Sequence, residues 1–271
     1  MPEDLFYLAD DGSYYAYWPK GYRGVKTTLQ SRNALIGTFT ERWSADLLHD
    51  FAEDMGHYVV KGAVCDEIGL PRQSNADVAV CKTAYVNQRP EDILLIVEVK
   101  MSIVWNWELQ ISNNEEELIC IGDYTKHQGT PGLLRSDSML KAIGKSINVR
   151  VSSSKASKIP IIVLGNTPIT ENYYEKVDHL ARSGVIQGFW SVNSNPLDSN
   201  RESVKSTAGL GFRRFDTYDE LIARLHELLQ EEREFFSSMR TKRELGEIVE
   251  VANHQDTYHN KADKFLALIR E

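Results

Sequence analysis

Ile93-Leu94-Leu95-Ile96-Val97-Glu98-Val99-Lys100 is the stretch on which the fold turns. Five consecutive aliphatic residues read as a strand covered on both faces, as at the centre of an α/β sheet. The strand then closes on an acid and a lysine. Alternate residues of a strand share a face and rise about 3.3 Å each, so Glu98 and Lys100 point the same way, about 6.6 Å apart. Charged side chains are seldom buried unless paired or metal-bound, so this end is either a rim ion pair or a functional site. The acid-any-lysine spacing decides nothing alone, since a chain of this composition yields about two such triplets by chance.

Working towards the N-terminus, Asp77 to Thr83 and His57 to Val64 are further strand-like runs, separated by turn-rich connections at 69–75 and 87–91. A three-strand meander is the economical reading. Before it, Thr38-Phe39-Thr40-Glu41 has the form of a capping box, and Phe39, Trp43, Leu47, Phe51 and Met55 recur at four-residue spacing up to Gly56. That pattern predicts a helix beginning at about residue 38. Residues 1–37 carry Tyr14, Tyr15, Tyr17, Trp18 and Tyr22 among glycines and read as a hairpin or irregular arm. These aromatics either pack on the core or stack on bases.

Towards the C-terminus, residues 105–117 read as an irregular or short helical excursion. Leu134, Met139, Leu140, Ile143 and Ile147 predict a helix over 133–148, with Lys141 and Lys145 four apart on one face. Pro160 to Leu164 is an apolar strand, 170–183 a helix and 185–192 another strand. After a Ser/Asn-rich stretch, Leu221, Leu225, Leu228, Phe235 and Met239 form an apolar helical stripe, which packs on the core or on a second copy. Weaker helical patterning runs from 245 to 269. The chain thus divides into an arm (1–37), a core (38–192) and a linker with a C-terminal helical region (193–271).

Composition narrows the function classes. No run of 18 apolar residues is present, and Met-Pro-Glu-Asp lacks the basic-then-apolar plan of a signal peptide, so a cytoplasmic protein with no membrane partner is expected. Cys65, Cys81 and Cys120 are odd in number and lack Cys-x-x-Cys spacing, which favours buried free thiols over a zinc site or disulfide. The net charge of −8 is uneven: residues 216–271 hold 13 acids and 8 bases, a net of −5. Residues 126–158 carry Lys126, Arg135, Lys141, Lys145, Arg150, Lys155 and Lys158 against only Asp137. Such a basic stripe suits phosphate-backbone contacts or is a solvated helix face.

Asp77 opens the second strand, and paired strands lie about 4.8 Å apart. If these two strands pair with like ends together, Asp77, Glu98 and Lys100 converge. Two carboxylates beside a lysine suit a Mg²⁺-dependent phosphodiesterase, because hard Mg²⁺ takes carboxylate, water and phosphate oxygens. Asp66-Glu67 is a rival to Asp77, and Asp123 with His127 is a further candidate ligand or base. No Gly-x-Gly-x-x-Gly, phosphate-binding P-loop or Gly-x-Ser-x-Gly motif occurs, so nucleotide-cofactor and serine-hydrolase readings have no support.

In Asp77, Glu98-Val99-Lys100 and the order of elements from 38 to 192, the chain resembles the PD-(D/E)XK nuclease superfamily, which includes many type II restriction endonucleases. The resemblance implies an α/β fold: a restriction-endonuclease-like αβββαβ core with a mixed central sheet flanked by helices, here with a C-terminal helical extension. It implies Asp77 and Glu98 as metal ligands, the Val99 carbonyl as a further ligand and Lys100 as the catalytic lysine. Glu41 is either the first-helix glutamate of many relatives or simply the cap. Ala76 departs from the proline that often precedes the first acid. The expected activity is a Mg²⁺-dependent endonuclease cutting double-stranded DNA at a specific site, with Lys126, Arg135, Lys141 and Lys145 on the DNA backbone. One centre per chain implies a homodimer. The alternatives are a repair or junction-resolving nuclease of the same fold, or a non-catalytic nucleic-acid-binding protein with Glu98 and Lys100 as a structural ion pair.

Overall fold

A computed structural model describes residues 5–26, 30–112, 115–126, 128–192, 203–237 and 239–270, apart from the side chains of 30 and 31. In chain order the strands and helices are β1 (Tyr7–Leu8), β2 (Tyr14–Tyr15), α1 (Gln30–Asp54), β3 (Tyr58–Ala63), β4 (Ala76–Cys81), β5 (Ile93–Lys100), β6 (Trp105–Ser112) and β7 (Glu115–Asp123). They continue with α2 (Ser136–Ser152), β8 (Ile161–Gly165), α3 (Tyr174–Arg182), β9 (Gly188–Val192), β10 (Phe212–Phe215), α4 (Tyr218–Gln230), α5 (Lys242–Asn253) and α6 (Tyr258–Arg270).

The protein is α/β, with a mixed six-stranded sheet ordered β10-β9-β8-β5-β4-β3 and flanked by helices. The expected meander is present, since β3–β4 and β4–β5 are antiparallel. From β5 onward β8, β9 and β10 all run parallel. β5 is therefore the strand at which the sheet changes sense, and its aliphatic run is buried on both faces. Val97 and Val99 face the layer of α1 and α4 through Leu48, Phe51, Leu221 and Leu225. Ile96 faces the other layer with Val149 of α2. Each such aliphatic side chain contributes about 1.5–3 kcal/mol by leaving water.

α1 is longer than its sequence pattern predicts. It starts at Gln30, so the Thr38–Glu41 box lies inside a helix already under way, and Thr40 Oγ1 bonds back to the Gly37 carbonyl at 3.0 Å. Glu41 is therefore not a cap. The true buried stripe is Ser44, Leu48, Phe51 and Ala52, while Phe39 and Trp43 stay 63% and 40% exposed.

Residues 105–112 and 115–123 are two antiparallel strands, not a helical excursion. Their register closes on Ser112↔Glu115, and β2 adds to the other side of β6 at Tyr14↔Leu109, giving a second antiparallel sheet ordered β1-β2-β6-β7. The described part of the predicted arm is thus built into the fold. Its aromatics pack on one another rather than standing free: Trp18 stacks between Tyr7 at 4.9 Å and Tyr22 at 4.4 Å. Arg32 of α1, 1% exposed, lies 4.8 Å from the Tyr7 and Tyr17 ring centres and donates to the Ala16 carbonyl, fastening α1 to this sheet.

The boundary expected at 192 falls within one continuous sheet. β10 pairs with β9, and α4 seals the same core through Leu221, Leu225 and Leu228. The predicted stripe breaks after Gln230: Phe235 leaves the helix to lie under the Arg150 guanidinium, and Met239 is fully exposed. The C-terminal helical extension is the α5–α6 hairpin, with Thr241 and Glu244 forming a true capping box. It is tied back by the Arg270–Glu234 pair at 2.8 Å and the Lys158–Glu234 pair at 3.4 Å. Among the described residues no helix is long and apolar enough to cross a membrane. Cys65 and Cys81 are buried free thiols as expected, but Cys120 is exposed on β7.

Candidate active site

The last β4–β5 ladder pair is Val78↔Val97. One step beyond it, Asp77 and Glu98 stand side by side at the C-terminal end of β5, where the sheet changes sense. In open α/β sheets that end of the strands is where ligands bind. The Asp77 carboxylate continues the ladder in place of a backbone carbonyl, with Oδ2 accepting from the Val99 N–H at 2.8 Å.

Both carboxylates meet two ammonium groups. Lys100 Nζ lies 2.5 Å from Glu98 Oε1 and 3.4 Å from Asp77 Oδ2, and donates to the Val99 carbonyl at 3.0 Å. Lys145, reaching in from α2, lies 2.9 Å from Asp77 Oδ1 and 2.7 Å from Glu98 Oε2. The result is two negative and two positive charges in alternation, with side-chain exposures of only 6% for Glu98, 15% for Asp77 and 18% for each lysine. The buried Glu98 Oε2 has the Lys145 ammonium as its partner.

The environment drives the two acids apart. Burial and the neighbouring Asp77 charge push the Glu98 carboxyl above its ordinary value. At Asp77 burial pulls the same way but is outweighed by Lys100, Lys145 and the Val99 N–H, so its carboxyl sits below the usual range. Burial works against the charge on Lys145, yet Glu98 and Asp77 overcome it and hold the ammonium protonated. Paired titratable groups displaced in opposite directions are a mark of functional sites.

The loop into α2 explains why Lys145 reaches this point. Gly132 takes φ +54°, and a Cβ there would lie 3.1 Å from the Lys100 carbonyl and 2.9 Å from Thr167 Oγ1. The Thr167 hydroxyl also accepts the Leu133 N–H at 2.9 Å. A glycine that admits this close approach sets the start of α2 against the end of β5.

Of the residues singled out from the sequence, Asp77, Glu98, Val99 and Lys100 come together. Glu41 is half-buried on α1, where burial and then the field of Asp77 raise its carboxyl, which puts it within electrostatic reach of Asp77. Lys145 is not one of a row of solvent-facing cations: it is turned into the carboxylates, whereas Lys141 is 72% exposed and pairs with Asp137 at 3.1 Å. Arg135 is also exposed and pairs with Asp137 at 3.4 Å. Lys126 is exposed beyond β7, with its stem against Gly122. Asp66 and Glu67 lie on a short 3₁₀ turn, where Glu67 pairs with Lys155, and take no part. Asp123 is fully buried and accepts the Thr125 N–H at 2.7 Å as a turn residue, while His127 lies outside the described residues.

The donor set of Asp77, Glu98 and the Val99 carbonyl is all hard oxygen, which suits Mg²⁺ or a similar cation and not a soft metal. Among the described residues another cluster with metal-ligand types is His49, Asp50 and Glu53, all exposed on one turn of α1. Compared with protein-family models, curated proteins and solved structures, the chain matches none.

Proposed function

We propose that this chain is a Mg²⁺-dependent endonuclease of the PD-(D/E)XK type acting on double-stranded DNA, with site-specific cleavage of the restriction kind as its leading form. The observation that carries the reading is the convergence of Asp77, Glu98 and Lys100 at the C-terminal end of β5, with a cationic group seated between Asp77 Oδ1 and Glu98 Oε2. Asp77, Glu98 and the Val99 carbonyl would hold the metal, three hard oxygen donors that already share the Lys100 ammonium as a partner. When bound, Mg²⁺ supplies an acidified water and neutralises charge growing on the phosphate.

The chain's own residues do the rest. Lys100 directs its amine into the same space and can orient the attacking water or stabilise the pentacovalent phosphate. Asp77, kept ionised by the two lysines, is a fixed negative group at working pH. Glu41 adds a third carboxylate at the edge of the site. Arg135, Lys141 and Lys126 are exposed and suited to backbone phosphates. One centre per chain cuts one strand, so double-strand cleavage calls for two copies.

One observation favours a second reading. The carboxylates are already neutralised by Lys100 and Lys145, as in a structural ion-pair network, which would suit a catalytically silent protein that binds nucleic acid through its exposed cations instead. Plasmid cleavage with Mg²⁺ separates the two. The wild type should nick or linearise DNA, and Asp77→Ala, Glu98→Ala and Lys100→Ala should each lose about a hundredfold or more in rate. An active triple variant, or a wild type inert on plasmid, linear duplex and four-way junction alike, removes the nuclease reading.

A further inference from the structure

Adding a divalent ion to the Asp77–Glu98 pair poses an electrostatic problem. The pair and its two lysines are already neutral, so a further two positive charges among four tightly packed groups would be repulsive. The departure of one of the two lysines would relieve that repulsion.

Their attachments differ. Lys100 is on the same strand as Glu98, and besides the carboxylates it donates to the Val99 carbonyl at 3.0 Å, so it has a partner that survives a rearrangement. Lys145 stands on a different element, α2. Its ammonium is held only by carboxylates, Asp77 Oδ1 at 2.9 Å and Glu98 Oε2 at 2.7 Å, and among the described residues no backbone carbonyl anchors it as Val99 anchors Lys100. Both oxygens lie within 2.9 Å of Nζ. Its four-carbon stem is flexible, its side chain is 18% exposed, and the next lysine along the helix face, Lys141, is already in solvent.

Resting on the nuclease reading above, we infer that Lys145 is a built-in stand-in for the metal: its ammonium holds the two carboxylates together in the ion-free protein and is expelled when a divalent cation binds. Ion and lysine exclude one another at Asp77 Oδ1 and Glu98 Oε2. The device lets two buried acids be stored safely without metal, because two carboxylates side by side with Lys100 alone would carry an uncompensated negative charge. It also makes Lys145 a positioning residue and not a phosphate contact of the resting protein. Once displaced, the amine is delivered to the mouth of the site.

The test uses the full chain and the metal alone. Titration calorimetry with Mg²⁺ and with Mn²⁺ should show Lys145→Met binding the ion at least about tenfold more tightly than wild type, with Lys145→Arg close to wild type. In EDTA Lys145→Met should melt below wild type, and added Mg²⁺ should raise its melting temperature by more than it raises that of wild type. Equal or weaker ion binding by Lys145→Met overturns the inference while leaving the nuclease reading intact. No ion binding by any form, wild type included, overturns both.

A measurement on wild type alone covers the case in which Lys145→Met does not fold. Amine acetylation mapped by mass spectrometry should be slow at Lys145 without metal and rise several-fold with Mg²⁺, while Lys141 is labelled equally in both. Unchanged protection of Lys145 at saturating Mg²⁺ overturns the proposal.

Discussion

Asp178 on α3 and the Asp77–Glu98 pair are both buried carboxylate sites, and they are built on opposite plans. Asp178, 8% exposed, is met by neutral donors fixed in the backbone or on a short side chain: the Gly209 N–H at 2.7 Å, the Gly211 N–H at 2.8 Å and the Thr207 hydroxyl. These bonds bracket Leu210, which is held at φ +60°, a left-handed conformation that costs a leucine about 1–2 kcal/mol. Asp77 and Glu98 are met chiefly by ammonium groups on long side chains, one of them from a separate helix. A carboxylate held by rigid neutral donors serves the fold; one held by movable cations is suited to trading one cation for another. Burial alone does not tell them apart, and the character of the partner does.

Neutralising each site separately is the strongest way to break that comparison. Glu98→Gln keeps shape and volume but should cut DNA cleavage by about a hundredfold or more and abolish the effect of Mg²⁺ on the melting temperature. Asp178→Ala should do the reverse. Removing three hydrogen bonds to a charged acceptor should cost about 3 kcal/mol in urea denaturation, while the cleavage rate of the molecules that remain folded is unchanged. If both variants lost stability alike and neither changed metal response, the distinction between the two sites would be wrong.

Acid sharpens the contrast. Although burial raises it, the carboxyl of Asp178 is held below its ordinary value by the Thr207 hydroxyl and the Gly209 and Gly211 N–H groups. The folded state therefore binds this proton less readily than the unfolded chain. Its contribution is fully present above the ordinary aspartate range and is lost as pH falls through the depressed folded value. Urea midpoints measured from pH 6 down to pH 3 should fall more steeply for wild type than for Asp178→Asn, whose amide does not titrate. Parallel acid limbs would mean that these donors contribute nothing specific to the charged form.

How far the sequence speaks for the candidate site follows from the same physics. Asp77, Glu98 and Lys100 can be brought together on paper because a strand has a period of two and antiparallel neighbours place the start of one beside the end of the next. Lys145 belongs to a different surface from the one its spacing suggests: helical periodicity gives the face of a residue but not how far a flexible stem reaches across it. The start of α1 is disguised because Thr38 and Glu41 imitate a cap inside a continuing helix. β7 is hard to see because its first residues, Glu115, Glu116, Glu117 and Leu118, are all exposed, so no alternation marks that strand. The helpful signal there is Trp105, Trp107, Leu109 and Ile111 leading to Asn113-Asn114, a pair tolerant of left-handed turns. β10 is hidden by its length of four residues, Phe212-Arg213-Arg214-Phe215, two of them basic.

The smallest effects belong to the exposed cations, and they test whether the surface beside the carboxylates carries DNA at all. Arg135 and Lys141 are 61% and 72% exposed and share one acid, Asp137, through ion pairs that water and salt screen, so their removal should leave stability within about 0.5 kcal/mol of wild type. Their charge acts on the substrate alone. Arg135→Ala and Lys141→Ala should each weaken duplex binding only a few-fold, and the slope of log affinity against log salt should become shallower by about 0.9 for each phosphate no longer neutralised. Cleavage at saturating DNA should not change, because neither side chain reaches Asp77, Glu98 or Lys100. Lys145→Ala should stand apart, altering the metal response as well as DNA binding. A salt slope unmoved by both surface variants would take the DNA path off this face of α2 while leaving the carboxylate centre untouched.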